Sequence, residues 1–158
     1  MNTVRRAEKK DIPRILELLV QVDMVHHNGR PDLFKGPATK YNGAQLEEIL
    51  GNDKTPVFVC VNEEDYVLGH AFTIHKQILG DNVLTDVKTL YIDDICVDED
   101  ARGKHVGKAI YEYVRDYARA IGCNNITLNV WEGNEPALRF YKSMGMQVQK
   151  TTMEIILK

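Results

Sequence analysis

Apolar positions change their period several times along the chain, and each change marks a new element. Over residues 12–27, IPRILELLVQVDMVHH, Ile12, Ile15, Leu16, Leu19 and Val22 recur at helical spacing, which predicts one buried stripe on an amphipathic helix. Asp11 stands where an N-cap is expected, and Pro13 falls in the first turn, where a missing N–H costs little. The preceding TVRRA reads as a short strand. NGRPDLFKGPATKYNG, rich in Gly, Pro and Asn, reads as a long loop. AQLEEILGN is a short helix ended by Gly51. PVFVCVN and YVLGHAFTIHKQ, joined by the acidic turn EED, form a hairpin, and VKTLYIDDICV is a third long strand.

Helical periodicity returns in KHVGKAIYEYVRDYARAIG. Val106, Ile110, Tyr113, Val114, Tyr117 and Ile121 form one stripe, with Glu112, Arg115, Asp116 and Arg119 opposite and Gly122 as a C-cap. NITLNVW is the next strand and NEPALRFYKSMG a short helix with Pro136 near its start and Gly145 past its end. MQVQK and TTMEIILK close the chain as strands. The order β-α-α-β-β-β-α-β-α-β-β predicts an α+β (mixed α/β) fold, with a mixed, mostly antiparallel sheet of about seven strands flanked by about four helices. A doubly wound dinucleotide-binding domain does not fit this order. No repeat or linker divides residues 1–158, which are expected to form a single domain.

Composition narrows the partners. A formal net charge of -3 on 158 residues gives no electrostatic footprint for nucleic acid. No apolar run approaches the roughly 20 residues of a membrane span, and MNTVRRAEKKD has no apolar signal core, so a cytoplasmic protein with no membrane partner is expected. Cys60, Cys96 and Cys123 form no CxxC pair, and the five histidines form no HExxH, so neither a disulfide framework nor a metal site is expected.

One stretch breaks the amphipathic rhythm: ARGKHVGKAI, residues 101–110. A P-loop would need one more residue between Gly103 and Gly107, and Ala109 stands where its hydroxyl belongs. What remains is a strand, an acidic turn and a helix start carrying Arg102, Lys104 and Lys108. Small residues at a helix N-terminus let an anionic pyrophosphate approach free backbone N–H groups.

These residues carry a family likeness. Arg102-Gly103-Lys104-His105-Val106-Gly107, preceded by ICVDEDA, resembles the (Gln/Arg)-x-x-Gly-x-(Gly/Ala) loop of the GNAT superfamily of acyl-CoA-dependent N-acyltransferases. NEPALRFYKSMGM, residues 134–146, is similar to its second signature. Two departures are visible: His105 occupies a usual glycine position, acceptable if its φ stays negative, and Met146 stands where Phe is common.

The resemblance implies acetyl-CoA as co-substrate, its pyrophosphate on residues 102–108. Its pantetheine arm would lie along Ile95, Cys96 and Val97, with Asn134 and Ala137 also touching it. An amine then attacks the thioester directly in a ternary complex. Only roughly one lysine-like ammonium in 10³ is unprotonated at neutral pH, so a proton must be removed. Asp93 and Asp94 are the candidate bases. Strict strand alternation places them on opposite faces, and similarity to the diamine acetyltransferase branch favours Asp93. Tyr141, four residues after Ala137 and on its helix face, is the implied acid for the leaving thiolate. Arg30, Asp32 and Phe34 are candidates for the acceptor side, the acceptor being a small amine or a protein amino group. The resemblance also allows a homodimer, for which TTMEIILK is a suitable strand. A non-catalytic acyl-CoA-binding domain is the alternative function.

Overall fold

The computed structural model describes residues 1–158. Strand β1 (Thr3–Arg6) is followed by helices α1 (Ile12–Gly29) and α2 (Gly43–Leu50), then strands β2 (Val57–Val61), β3 (Val67–Lys76) and β4 (Thr89–Val97). Helix α3 (Val106–Ala120), strand β5 (Asn125–Leu128) and helix α4 (Glu135–Ser143) complete the series. The strands lie side by side in chain order; the first three pairings are antiparallel and β4–β5 is parallel.

The alternation of side chains along the strands divides the core into two layers. Ile15, Leu18 and Leu19 of α1 and Leu46 of α2 cover one face, against Val57, Val59, Phe72 and Cys96. Val106, Ile110 and Val114 of α3 cover the other, against Phe58, Ala71, Leu90 and Ile92. On α3 the stripe is rotated from the expected one: Tyr111 is buried, whereas Tyr113 is exposed at the rim of the helix. Asn42 caps α2 with a reciprocal Asn42–Gln45 bond pair. Asp11 precedes α1 but does not cap it. Its buried carboxylate accepts bonds from Arg5 at 2.8 and 3.0 Å and from the Glu8 N–H.

The sheet has five strands where about seven are expected. A strand exists only through its partner's backbone, and residues 147–158 make no backbone hydrogen bond, so MQVQK and TTMEIILK are not strands of this chain's sheet. NITLNVW is also shorter as a strand than its pattern implies, pairing only from Asn125 to Leu128.

One irregularity in β4 decides the geometry of the site. Phe72 pairs with Asp94 and Thr73 with Ile92, leaving Asp93 as an extra residue. Leu90 and Ile92 face α3, yet Cys96, of the same parity, faces α1. A β-bulge of this kind inverts the alternation at the point where it occurs.

Candidate active site

The bulge brings Asp93 and Asp94 to one face, correcting the opposite faces that strict alternation implies. Asp93 Oδ2 accepts a bond from Lys40 Nζ at 2.7 Å and one from the Tyr41 hydroxyl at 3.3 Å. Asp94 Oδ2 lies 2.9 Å from Nε2 of the fully buried His70. Both partners meet at Phe72: the Tyr41 and His70 rings stand 5.6 and 5.0 Å from its ring. The acids are therefore neighbours with separate holders, one from the loop before α2 and one from β3.

Their surroundings show in the ionisation of nearby groups. Burial opposes the Lys40 ammonium, but the hydrogen bond and charge of Asp93, with a contribution from Asp94, raise its pKa above the ordinary lysine value. Burial and Asp93 raise the Tyr41 phenol. Tyr141 on α4 is raised well above a normal phenol by burial first, then by Asp94 and Tyr111. Asp94 is thus the acid whose charge reaches Tyr141. The Tyr141 hydroxyl makes no hydrogen bond within the protein, while its ring packs edge-on to Phe140 at 5.2 Å. Cys96 turns away from this opening: its thiol donates to the Leu18 carbonyl at 3.4 Å, and burial, with Asp94, pushes its pKa up to about 12. A thiol so buried is poorly suited to nucleophilic attack.

Beyond Ile92 and Leu128 the parallel strands part, because β5 ends there while β4 continues to Val97. The β5-side edge of β4 is consequently unpaired alongside Ile95, Cys96 and Val97. Ile95 and Val97 pack against the same core layer as Phe140, Tyr141 and Met144. Asn134 accepts the Ala137 N–H at 3.4 Å and caps α4, fixing the helix that carries Tyr141.

At the end of β4 the chain turns through Asp98–Ala101 into α3. The first helical bond runs from Ala109 N–H to His105 C=O, so the N–H groups of Val106, Gly107 and Lys108 point out of the helix without acceptors. Arg102, Lys104 and Lys108 surround them with positive charge. A Cβ on Gly107 would stand 3.5 Å from the Phe140 ring, an ordinary contact, so a methyl fits here whereas a large side chain would meet Phe140 and Val97. His105 has φ +60°, contrary to the negative φ expected for a side-chain-bearing residue. The left-handed conformation explains why glycine is usual here, and it costs histidine about 1 kcal/mol. Free amides at a helix start, flanking cations and an unpaired strand edge fit a pyrophosphate and an amide-bearing pantetheine arm.

Arg30 grips Asp32 with two bonds of 2.9 and 2.8 Å and reaches Glu154 at 2.5 Å; its pKa is raised by these carboxylates. Phe34 stacks on His26 at 5.0 Å and meets the half-exposed Trp131 edge-on at 5.3 Å. These three residues form a wall beside the α1 C-terminus, and none touches Asp93 or Asp94 through a hydrogen bond. Lys40, Tyr41, His70 and Trp131 are absent from the sequence-derived candidates. Lys40 and Tyr41 sit inside a polar loop, and His70 carries no signal beyond being a polar residue in an apolar strand.

Five strands opening between β4 and β5, with an amide-lined helix start below the opening, define an acyl-CoA-dependent transferase fold. Residues 7–146 match the acetyltransferase (GNAT) family, and the chain belongs to it. It is similar to glucosamine 6-phosphate N-acetyltransferase of Arabidopsis thaliana, 32% identical over 111 residues that span 69% of this chain and 70% of the plant protein. It is 29% identical over 107 residues to a peptidyl-lysine N-acetyltransferase of Salmonella typhimurium, spanning 66% of this chain and 61% of that protein. Among solved structures, a mutant of the Bacillus halodurans protein BH1408 superposes with a TM-score of 0.94 at 31% identity, covering 99% of both chains. No helix of the chain is long and apolar enough to cross a membrane.

Proposed function

We propose that the chain transfers an acetyl group from acetyl-CoA to a cationic primary amine, on a small molecule or on a protein, by direct attack in a ternary complex. The observation that carries this reading is the meeting of three features at one opening: free amides on α3, the unpaired edge of β4, and a pair of neighbouring carboxylates of which Asp94 acts on Tyr141. In this reading residues 102–108 hold the pyrophosphate, and Ile95–Val97 with Asn134 and Ala137 hold the pantetheine arm. Asp93 receives the acceptor's ammonium, a role for which its bond to Lys40 is the precedent. Asp94, steadied by His70, takes up the released proton through water, and Tyr141 protonates the leaving sulfur. The Arg30–Phe34 wall with Trp131 borders the path by which the acceptor enters. Incubation with acetyl-CoA and a panel of amines, with free thiol monitored, tests the proposal. Thiol release dependent on an amine supports it. Coenzyme binding without release for any acceptor, protein extracts included, supports a non-catalytic acyl-CoA-binding role instead.

The same reading includes a homodimer. Val148, Met153, Ile155, Ile156 and Leu157 are 69, 85, 82, 69 and 86% exposed on a segment without Gly or Pro, while the outer edge of β5 has no partner. An unpaired β-forming segment and an open sheet edge in the same chain satisfy each other when two copies exchange them.

A further inference from the structure

Eleven of the chain's lysine and arginine side chains form ion pairs or cation–π contacts, and one stands apart by its place. Lys40 alone among the lysines reaches the acid pair: its Nζ is 2.7 Å from Asp93 Oδ2, and it also feels the charge of Asp94. Lys9 and Lys10 pair instead with Glu47, Glu8 and Asp65; Lys108 pairs with Glu112, and Lys88 donates to the Ile121 carbonyl. The Lys40 side chain is 48% exposed, its ammonium 5.7 Å from the Tyr41 ring centroid, on a loop that α2 and Phe72 anchor through Tyr41. Its amine therefore occupies the position assigned above to an acceptor.

We infer that Lys40 is itself an acetyl acceptor, modified by this chain's own active centre. The inference rests on the proposed function and adds a modification site to it. The ammonium, held by Asp93, first gives one proton through water to Asp94, which passes it to solvent. The Nζ lone pair then attacks the thioester carbonyl carbon, the C–N bond forms, and the C–S bond breaks. The sulfur leaves with its electron pair and takes a proton, so one ammonium and one acetyl-CoA become one acetyl-lysine, one CoA thiol and one proton. No oxidant, reductant or metal is required. Loss of the charge on Lys40 breaks its ion pair and frees Asp93, so the modified chain offers an unoccupied carboxylate to an external ammonium. The unmodified chain makes such an acceptor compete with Lys40.

The test uses the full chain with acetyl-CoA and no added amine, followed by peptide mapping for acetyl-lysine. A parallel sample unfolded in urea reports purely chemical acetylation. The expected result is preferential acetylation of Lys40 in the folded protein, with a first-order rate constant independent of protein concentration. Lys40→Ala is expected to lower KM for a cationic acceptor several-fold, because the competing ammonium is gone. Labelling of Lys40 no greater than in the unfolded sample overturns the inference, as does a rate constant that rises in proportion to protein concentration. If an amine panel releases thiol while Lys40 stays unmodified, this inference fails and the proposed function stands. If no amine releases thiol either, the proposed function has failed first.

Discussion

His70 Nε2 stands 2.9 Å from Asp94 Oδ2, and the other ring nitrogen, Nδ1, is buried with no partner at all. The one bond open to the ring is thus the one to Asp94, with Nε2–H as donor. A histidine that spends its only bond on a carboxylate aims that carboxylate. His70→Ala removes both the donor and the volume, and turnover is expected to fall about tenfold with the KM for acetyl-CoA little changed. His70→Gln can return an N–H to the same place and is expected to recover most of the loss. Steady-state kinetics on the two variants checks this, and equal loss in both would mean that His70 only fills space.

Tyr141 is argued to deliver a proton to sulfur, so Tyr141→Phe should lower kcat by about 10²-fold while acetyl-CoA affinity holds. Burial and the charge of Asp94 raise its phenol, which keeps the acid form present at pH values where a free tyrosine has begun to ionise. The wild-type rate should accordingly show no falling limb attributable to this phenol up to about pH 10. A pH–rate profile of both proteins measures it.

Two positions of the 102–107 loop respond in opposite directions. His105→Gly relieves a left-handed φ and is expected to stabilise the protein by about 1 kcal/mol with coenzyme binding retained. Gly107→Trp drives a large side chain into Phe140 and Val97 and is expected to abolish binding, whereas Gly107→Ala meets only ordinary contact distances. Thermal melts and CoA titration separate the three. Retained binding in Gly107→Trp would show that the cradle lies elsewhere.

The exposed C-terminal segment gives a prediction about assembly. Sedimentation of the full chain is expected to show a dimer, and Ile155→Glu combined with Leu157→Glu to show a monomer that still binds coenzyme. A wild-type monomer throughout the micromolar range would exclude the exchange.

How far the sequence revealed this molecule depends on what each feature needed. Helices α1 and α3 and strands β2 to β4 were legible because burial imposes its own period on them. The helix start at Val106 was legible because charge and small residues converge there in one short stretch. The pairing of Asp93 with Asp94 was hidden, since a single extra residue in β4 inverts alternation and leaves no compositional mark. Lys40 was hidden for another reason: its role comes from a contact across 53 residues, and nothing local in ATKYNG points to it. The closing strands were overread, because a β-forming pattern such as TTMEIILK states a capacity for pairing but supplies no partner.

The parting of β4 from β5 after four paired residues has a consequence for the free protein. From Asp93 to Val97 the sheet gives up the hydrogen bonds that a longer β5 would have made, and the interior there is closed on one side only. A coenzyme arm laid along that edge would act as a removable strand, completing a ladder that the polypeptide leaves unfinished. Affinity for the coenzyme and rigidity of the fold then become one quantity, with stability rising as the free coenzyme concentration exceeds its dissociation constant. Amide exchange at Asp94–Val97 should slow on adding CoA, while the amides between β1 and β2 keep their rates. The missing segment of sheet would be stored in solution, as the substrate.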